Sequence, residues 1–138
     1  MGKFVGIDFG IKRTGIAITD DLKIIASGLE TVPTDQLMEY LKRMVKEEQI
    51  ERFVVGQAMR MSGEQSAIEA NILEFIVALE KHIPSVQVLR QDERFTSKLA
   101  FDAMLAGGVK KKDRRNKQKG LVDKVSATLI LQAHLESL

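Results

Sequence analysis

The chain contains no cysteine and no tryptophan, and has only one tyrosine, two prolines and two histidines. Without cysteine there is no disulfide, no thiolate metal ligand and no cysteine nucleophile. The absence fits a reducing compartment. His82 and His134 stand alone on helical stretches and read as surface residues, so a zinc centre of paired histidines is not expected. The scarcity of aromatics limits stacking on bases, with Phe95 the remaining candidate. No run approaches the ~18 apolar residues of a membrane span. Asp8, Lys12 and Arg13 interrupt any signal-peptide core. A cytoplasmic protein without a membrane partner is the expectation.

What is present is ordinary in amount and uneven in placement. At 138 residues, with 44% hydrophobic and 29% charged, the chain suits one domain over 1–138 with a proper core. The net charge of +2 conceals a strong polarity: residues 110–119, KKKDRRNKQK, carry seven basic side chains and one acid. That segment is +6, which leaves −4 on the other 128 positions. Lys110, Lys111, Lys112, Arg114, Arg115, Lys117 and Lys119 thus form a concentrated cationic loop, as a polyanion partner requires.

The opening stretch FVGIDFGIKRTGIAITD, residues 4–20, reads as two short strands around a glycine-punctuated turn. Asp20-Asp21 supplies a turn before a third strand at Lys23 to Val32, and strands joined this closely form an antiparallel meander. Thr34 is a candidate N-cap for a helix carrying Leu37, Leu41, Met44 and Val45 to Glu48. Phe53-Val54-Val55 reads as a short strand buried on both faces, and Gln57 to Gly63 as a loop. A helix is expected over Glu64 to Lys81 through Ile68, Ile72, Phe75, Ile76 and Leu79, then a strand at Val86 to Leu89. Thr96 or Ser97 caps a further helix that stops at Gly107-Gly108. A last amphipathic helix spans Leu121 to Leu135. The order βββ-α-β-α-β-α-α implies an α/β fold, a mixed sheet with helices on both faces.

Three carboxylates stand out, each with a plain structural reading beside the chemical one. Asp8 sits near the end of an apolar strand, where an acid is costly unless paired; Lys12 or Arg13 in the turn are the simplest partners. Glu93 lies past the strand at 86–89, where ligands of parallel sheets bind, and Asp92 and Arg94 make a solvated turn the alternative. Asp123 opens the last helix, where the helix dipole alone accounts for an acid. Three carboxylates at one rim would repel unless divalent cations neutralised them, and an all-oxygen set suits Mg²⁺ or Mn²⁺. Two such ions activate a water and stabilise the leaving oxygen of a phosphodiester. Gly6, Gly10 and Gly15 permit tight turns and close approach, but make neither a Walker A loop nor a Rossmann fingerprint. Gly56-Gln57 and Ser62-Gly63 read as a turn plus a helix cap.

The motifs GIDFGIKRTGIAITD at 6–20, VVG at 54–56, DERFTS at 92–97 and KGLVDKVSATLIL at 119–131 resemble the YqgF family, also called RuvX. The resemblance covers nearly the whole chain. It implies an RNase H-like fold, with the three-strand meander extended by two parallel strands into a five-stranded mixed sheet. It implies a nuclease, described in the family as maturing the 5′ end of pre-16S rRNA or as resolving Holliday junctions. Asp8, Glu93 and Asp123 match the family's acids, taken as the catalytic residues and ligands of Mg²⁺ or Mn²⁺. Lys12 and Arg13 match its KR pair. With Arg94 and the 110–119 cations they are the expected nucleic-acid contacts. Gln57-Ala58 replaces the family's usual Leu-Pro, which bears on loop shape. A fourth acid is common in this fold, and Asp92 is the nearest in sequence.

The expected partners are structured RNA or branched DNA, and pre-ribosomal particles, bound by a monomer or weak homodimer. Three other readings compete. Junction resolution would use the same acids in a dimer. A non-catalytic nucleic-acid or ribosome-binding protein would keep the fold and not need the acids. A sugar-kinase-like or actin-like ATPase shares the strand–glycine–strand opening, but needs two such domains.

Overall fold

Phe4, Val5 and Ile7 make the first strand apolar on both faces, and the chain around it forms the sheet accordingly. In the computed structural model, which describes residues 2–20, 25–57, 67–92 and 126–136, the strands are β1 (Lys3–Asp8), β2 (Arg13–Thr19), β3 (Ala26–Pro33), β4 (Ile50–Gln57) and β5 (Gln87–Asp92). They form one sheet in the order β3-β2-β1-β4-β5. β1, β2 and β3 are the antiparallel meander, and β4 and β5 run parallel to β1. This is the mixed five-stranded sheet that the sequence implied.

Two helices, α1 (Leu37–Glu47) and α2 (Glu69–His82), cover one face of the sheet; a third, α3 (126–136), covers the other. Strand parity decides which residue meets which layer. Val5, Ile7, Phe53 and Val55 point to α1 and α2, where Leu37, Leu41, Ile72, Ile76 and Leu79 complete the larger core. Phe4, Ala17 and Val54 point the other way, onto Ala127, Ile130 and Leu131 of α3. Burial on both sides explains why the central strands lack simple alternation.

Gly6 lies under α3 with no room to spare. A Cβ there would stand 2.8 Å from Leu131 Cβ and 2.9 Å from the Ala127 carbonyl oxygen. The absent side chain lets the helix pack directly on strand backbone. Further along α3, His134 meets Phe4 edge-on with centroids 5.8 Å apart. The helix therefore runs antiparallel to β1, and its early turns lie toward the carboxyl end of that strand.

Several local expectations needed correcting. Thr34 does not cap α1; it opens a 3-10 turn over Thr34–Gln36, and its hydroxyl is engaged elsewhere. β4 extends from Ile50 through Gln57, so Gln57 belongs to the strand. β5 continues past Leu89 to Asp92, because parallel pairing with Val55, Gly56 and Gln57 carries the polar residues along. α2 begins at Glu69, after a turn at 67–68, while residues 58–66 lie outside the described residues. So do the helix expected after Thr96 and the start of the one at Leu121.

His82 is exposed as expected, but His134 is buried, at 7% exposure. Arg52 explains this: its guanidinium lies 4.3 Å over the Phe4 ring and its Nη1 is 3.0 Å from His134 Nε2. A guanidinium only donates, so Nε2 accepts and the imidazole is neutral. Burial, then the neighbouring Arg52 charge, holds the His134 pKa below its ordinary value.

Two expectations follow. Gly6→Ala should lower unfolding stability by about 1–3 kcal/mol through overpacking against α3, read from urea denaturation. For His134, the unfolded chain takes up the proton more readily, so its stabilising effect is complete above the ordinary histidine pKa and is lost as pH falls below it. The urea midpoint should drop on acidification from pH 7.5 to 5, and His134→Gln should flatten that part of the profile. An unchanged profile in the variant would remove His134 as its source.

Candidate active site

Asp8 is the last residue of β1 and is half-buried. Its parity matches Phe4 and Gly6, so it belongs to the face that α3 covers. Its partner on β2 is Gly15. On the other side Ile7 pairs with Val55, so one step further along the strands Asp8 comes level with Gly56. The carboxylate is thus flanked in the sheet by two glycines. Neither neighbouring strand places a side chain beside it in the sheet.

β1, β4 and β5 are parallel, so their carboxyl ends, at Asp8, Gln57 and Asp92, emerge on one rim. Ligands of sheets with parallel strands bind beyond such ends. Gly56 pairs with Gln91, which puts Gln91 on the same row and face as Asp8, about 10 Å away across two inter-strand spacings.

Of the expected site residues, Asp8, Lys12 and Arg13 lie among those described. Lys12 is exposed in the turn after β1, and Arg13 is half-buried at the start of β2, so both stand at the rim. Glu93 and Asp123 lie outside the described residues, as do Arg94, Phe95 and the cations Lys110, Lys111, Lys112, Arg114, Arg115, Lys117 and Lys119. Glu93 directly follows β5, and Asp123 is four residues before Ala127 in the sequence. Among the described residues no three of His, Cys, Asp or Glu cluster as a metal would require.

The turn itself is built to one shape. A Cβ on Gly10 would collide with the Arg13 carbonyl oxygen, so only glycine closes it. Phe9 anchors its start by stacking on Phe75, with centroids 5.1 Å apart.

Sequence reading missed one element of the rim. Arg90 of β5 grips the buried Glu69 with two hydrogen bonds, Nη2 to Oε1 at 2.7 Å and Nη1 to Oε2 at 3.0 Å. The same guanidinium donates to the Val55 and Gly56 carbonyls at 3.3 and 2.9 Å. It ties the first residue of α2 to the last residues of β4, on the face away from Asp8. The available signal was an arginine between Leu89 and paired strand residues, the same anomaly that marked Asp8. Its partner, 21 positions away, could not be assigned from spacing.

Comparison with known proteins agrees with this architecture. A family model described as RuvX, Holliday junction resolvase, matches residues 2–137. A protein of Phocaeicola vulgatus named "Putative pre-16S rRNA nuclease" is 52% identical over 137 residues, covering 99% of this chain and 97% of that one. A protein of Christiangramia forsetii with the same name is 48% identical over 135 residues, covering 98% of each. Among solved structures, the fowlpox virus resolvase bound to Holliday junction DNA aligns with TM-score 0.60 at 14% identity, over 98% of this chain and 97% of that one. Thermus thermophilus RuvC with a Holliday junction aligns with TM-score 0.58 at 18% identity, over 99% and 95%. These two likenesses establish the RNase H-like fold. The chain belongs to the RuvX family.

Proposed function

We propose that this chain is a metal-dependent nuclease that hydrolyses phosphodiester bonds in structured RNA and matures the 5′ end of pre-16S rRNA, as a single RNase H-like domain over 1–138. The observation that carries the reading is Asp8. It is a half-buried carboxylate between two glycines, on the rim where three parallel strands end and on the face toward which the early turns of α3 point. The names of relatives about half identical to this chain support the RNA substrate.

Asp8, Glu93 and Asp123 are the metal ligands in this reading. Glu93 has the sequence parity of Gln91, which shares the Asp8 face, and Asp123 precedes the helix that crosses Gly6 on that face. The donor set fits the group: hard carboxylate oxygens, with glycines as the sheet neighbours of Asp8, suit Mg²⁺ or Mn²⁺. When bound, such ions supply an activated water and neutralise charge on the leaving oxygen. Asp8 contributes fixed negative charge on a rigid strand, where it needs no rearrangement during the reaction. Lys12 and Arg13 hold the substrate phosphates at the rim. Arg94 and the seven cations of residues 110–119 extend that grip along the backbone. The working partner is precursor rRNA in a pre-ribosomal particle, in the cytoplasm, bound by a monomer or weak homodimer.

Asp8→Asn should remove several kcal/mol of transition-state stabilisation, so Mg²⁺-dependent cleavage falls roughly 10³-fold while RNA binding in EDTA persists. Wild-type cleavage by that variant would end the assignment. Changing all seven cations of 110–119 to glutamine should weaken RNA binding and reduce the salt dependence by about 0.7 per lost phosphate contact. An unchanged slope in a titration from 50 to 300 mM salt (about a sixfold span, wide enough to resolve it) would show that the segment does not touch phosphate.

A further inference from the structure

The tip of the β1–β2 turn has no apolar anchor of its own. Beyond Phe9 the chain exposes Ile11, at 60%, and Lys12. Side-chain burial therefore does not hold the tip in place, and hydrogen bonds must. Among the described residues, Thr34, which follows β3, supplies two of them. Its backbone N–H donates to the Lys12 carbonyl at 3.0 Å, and its hydroxyl donates to the Gly10 carbonyl at 2.6 Å. With its only proton committed to Gly10, that hydroxyl accepts from the Thr14 hydroxyl at 2.9 Å. Thr14 is fully buried. The result is a relay, Thr14 to Thr34 to Gly10, that locks both sides of the turn carrying Lys12 and Arg13. Successive hydroxyl donors strengthen one another in such a chain.

We propose that Thr34 is a positioning residue for substrate binding, holding the β1–β2 turn in the shape that presents Lys12 and Arg13 to phosphate beside Asp8. This rests on the reading of those two cations as phosphate contacts. A turn fixed before substrate arrives loses little entropy on binding, whereas a loose one must be ordered at the cost of affinity. Thr34→Val keeps the side-chain shape and the backbone bond to Lys12. It leaves the Gly10 carbonyl without its hydroxyl donor and the buried Thr14 hydroxyl without its acceptor. Thr34→Ser keeps the relay.

The test measures binding of a fluorescein-labelled RNA hairpin with a 5′ single-stranded extension, in EDTA, at several salt concentrations and well below each variant's melting temperature. Mg²⁺-dependent cleavage of the same RNA is measured in parallel. Thr34→Val should weaken binding about 3- to 10-fold, with a shallower salt dependence and a KM that rises more than kcat falls. Thr34→Ser should restore both. A Thr34→Val protein that is less heat-stable yet binds with wild-type affinity and slope would overturn the inference, provided Lys12→Ala/Arg13→Ala loses affinity. If Lys12→Ala/Arg13→Ala itself binds like wild type, the phosphate-contact reading fails, and the role of Thr34 fails with it.

Discussion

The packing of α3 on the bare backbone at Gly6 is the constraint on which the rest of this structure depends. Because no Cβ intervenes, the helix comes close enough for Ala127 and Leu131 to seat against the strand itself. That contact defines the second face of the sheet, and strand alternation then assigns Asp8, two residues on, to it. It also sets the helix direction, since the Phe4–His134 contact lies toward the other end of β1. One small residue thus links a core packing decision to the environment of the proposed catalytic acid.

Around that acid the molecule combines rigidity with small sheet neighbours. Rigidity comes from three parallel strand ends, from the Arg90 guanidinium tying β4 to α2, and from the Thr34 relay under the β1–β2 turn. On either side of Asp8 in the sheet stand Gly15 and Gly56, which place no side chain there. A site that stabilises developing charge benefits from rigidity, because groups already in position pay no reorganisation cost when the reaction occurs. The Arg90 guanidinium meets the buried Glu69 carboxylate and two backbone carbonyls in directions an apolar pair could not define.

How much was legible beforehand depended on whether the signal was local. The meander could be read from Phe4 to Asp20 because short connections force antiparallel pairing, and the helical stripes of α1 and α2 followed from spacing. Asp8 stood out because an acid among Val5, Ile7 and Phe9 is costly, and that holds wherever the chain goes. The relationships of Thr34, His134 and Arg90 were not legible. Thr34 looked like a helix cap because the residue type suits one, but its hydroxyl partners, Thr14 and Gly10, lie 20 and 24 positions away. His134 looked like a surface residue because nothing near it in sequence foretells Arg52, 82 positions earlier. Polar partners at such separations leave no periodic trace.

The sequence by itself determined the order of the described strands and helices, the family membership written in its motifs, the concentration of positive charge at 110–119 and the anomaly of Asp8. These are properties of residue type and near-neighbour spacing, and the chain carries them before it folds. Only the tertiary structure decided that Asp8 shares a face with α3, that two glycines from other strands flank it, and that Thr34 braces the adjacent turn. Each of those depends on inter-strand register and helix docking. Both are settled by how the whole core packs, because a one-residue slip would send Asp8 to the opposite face.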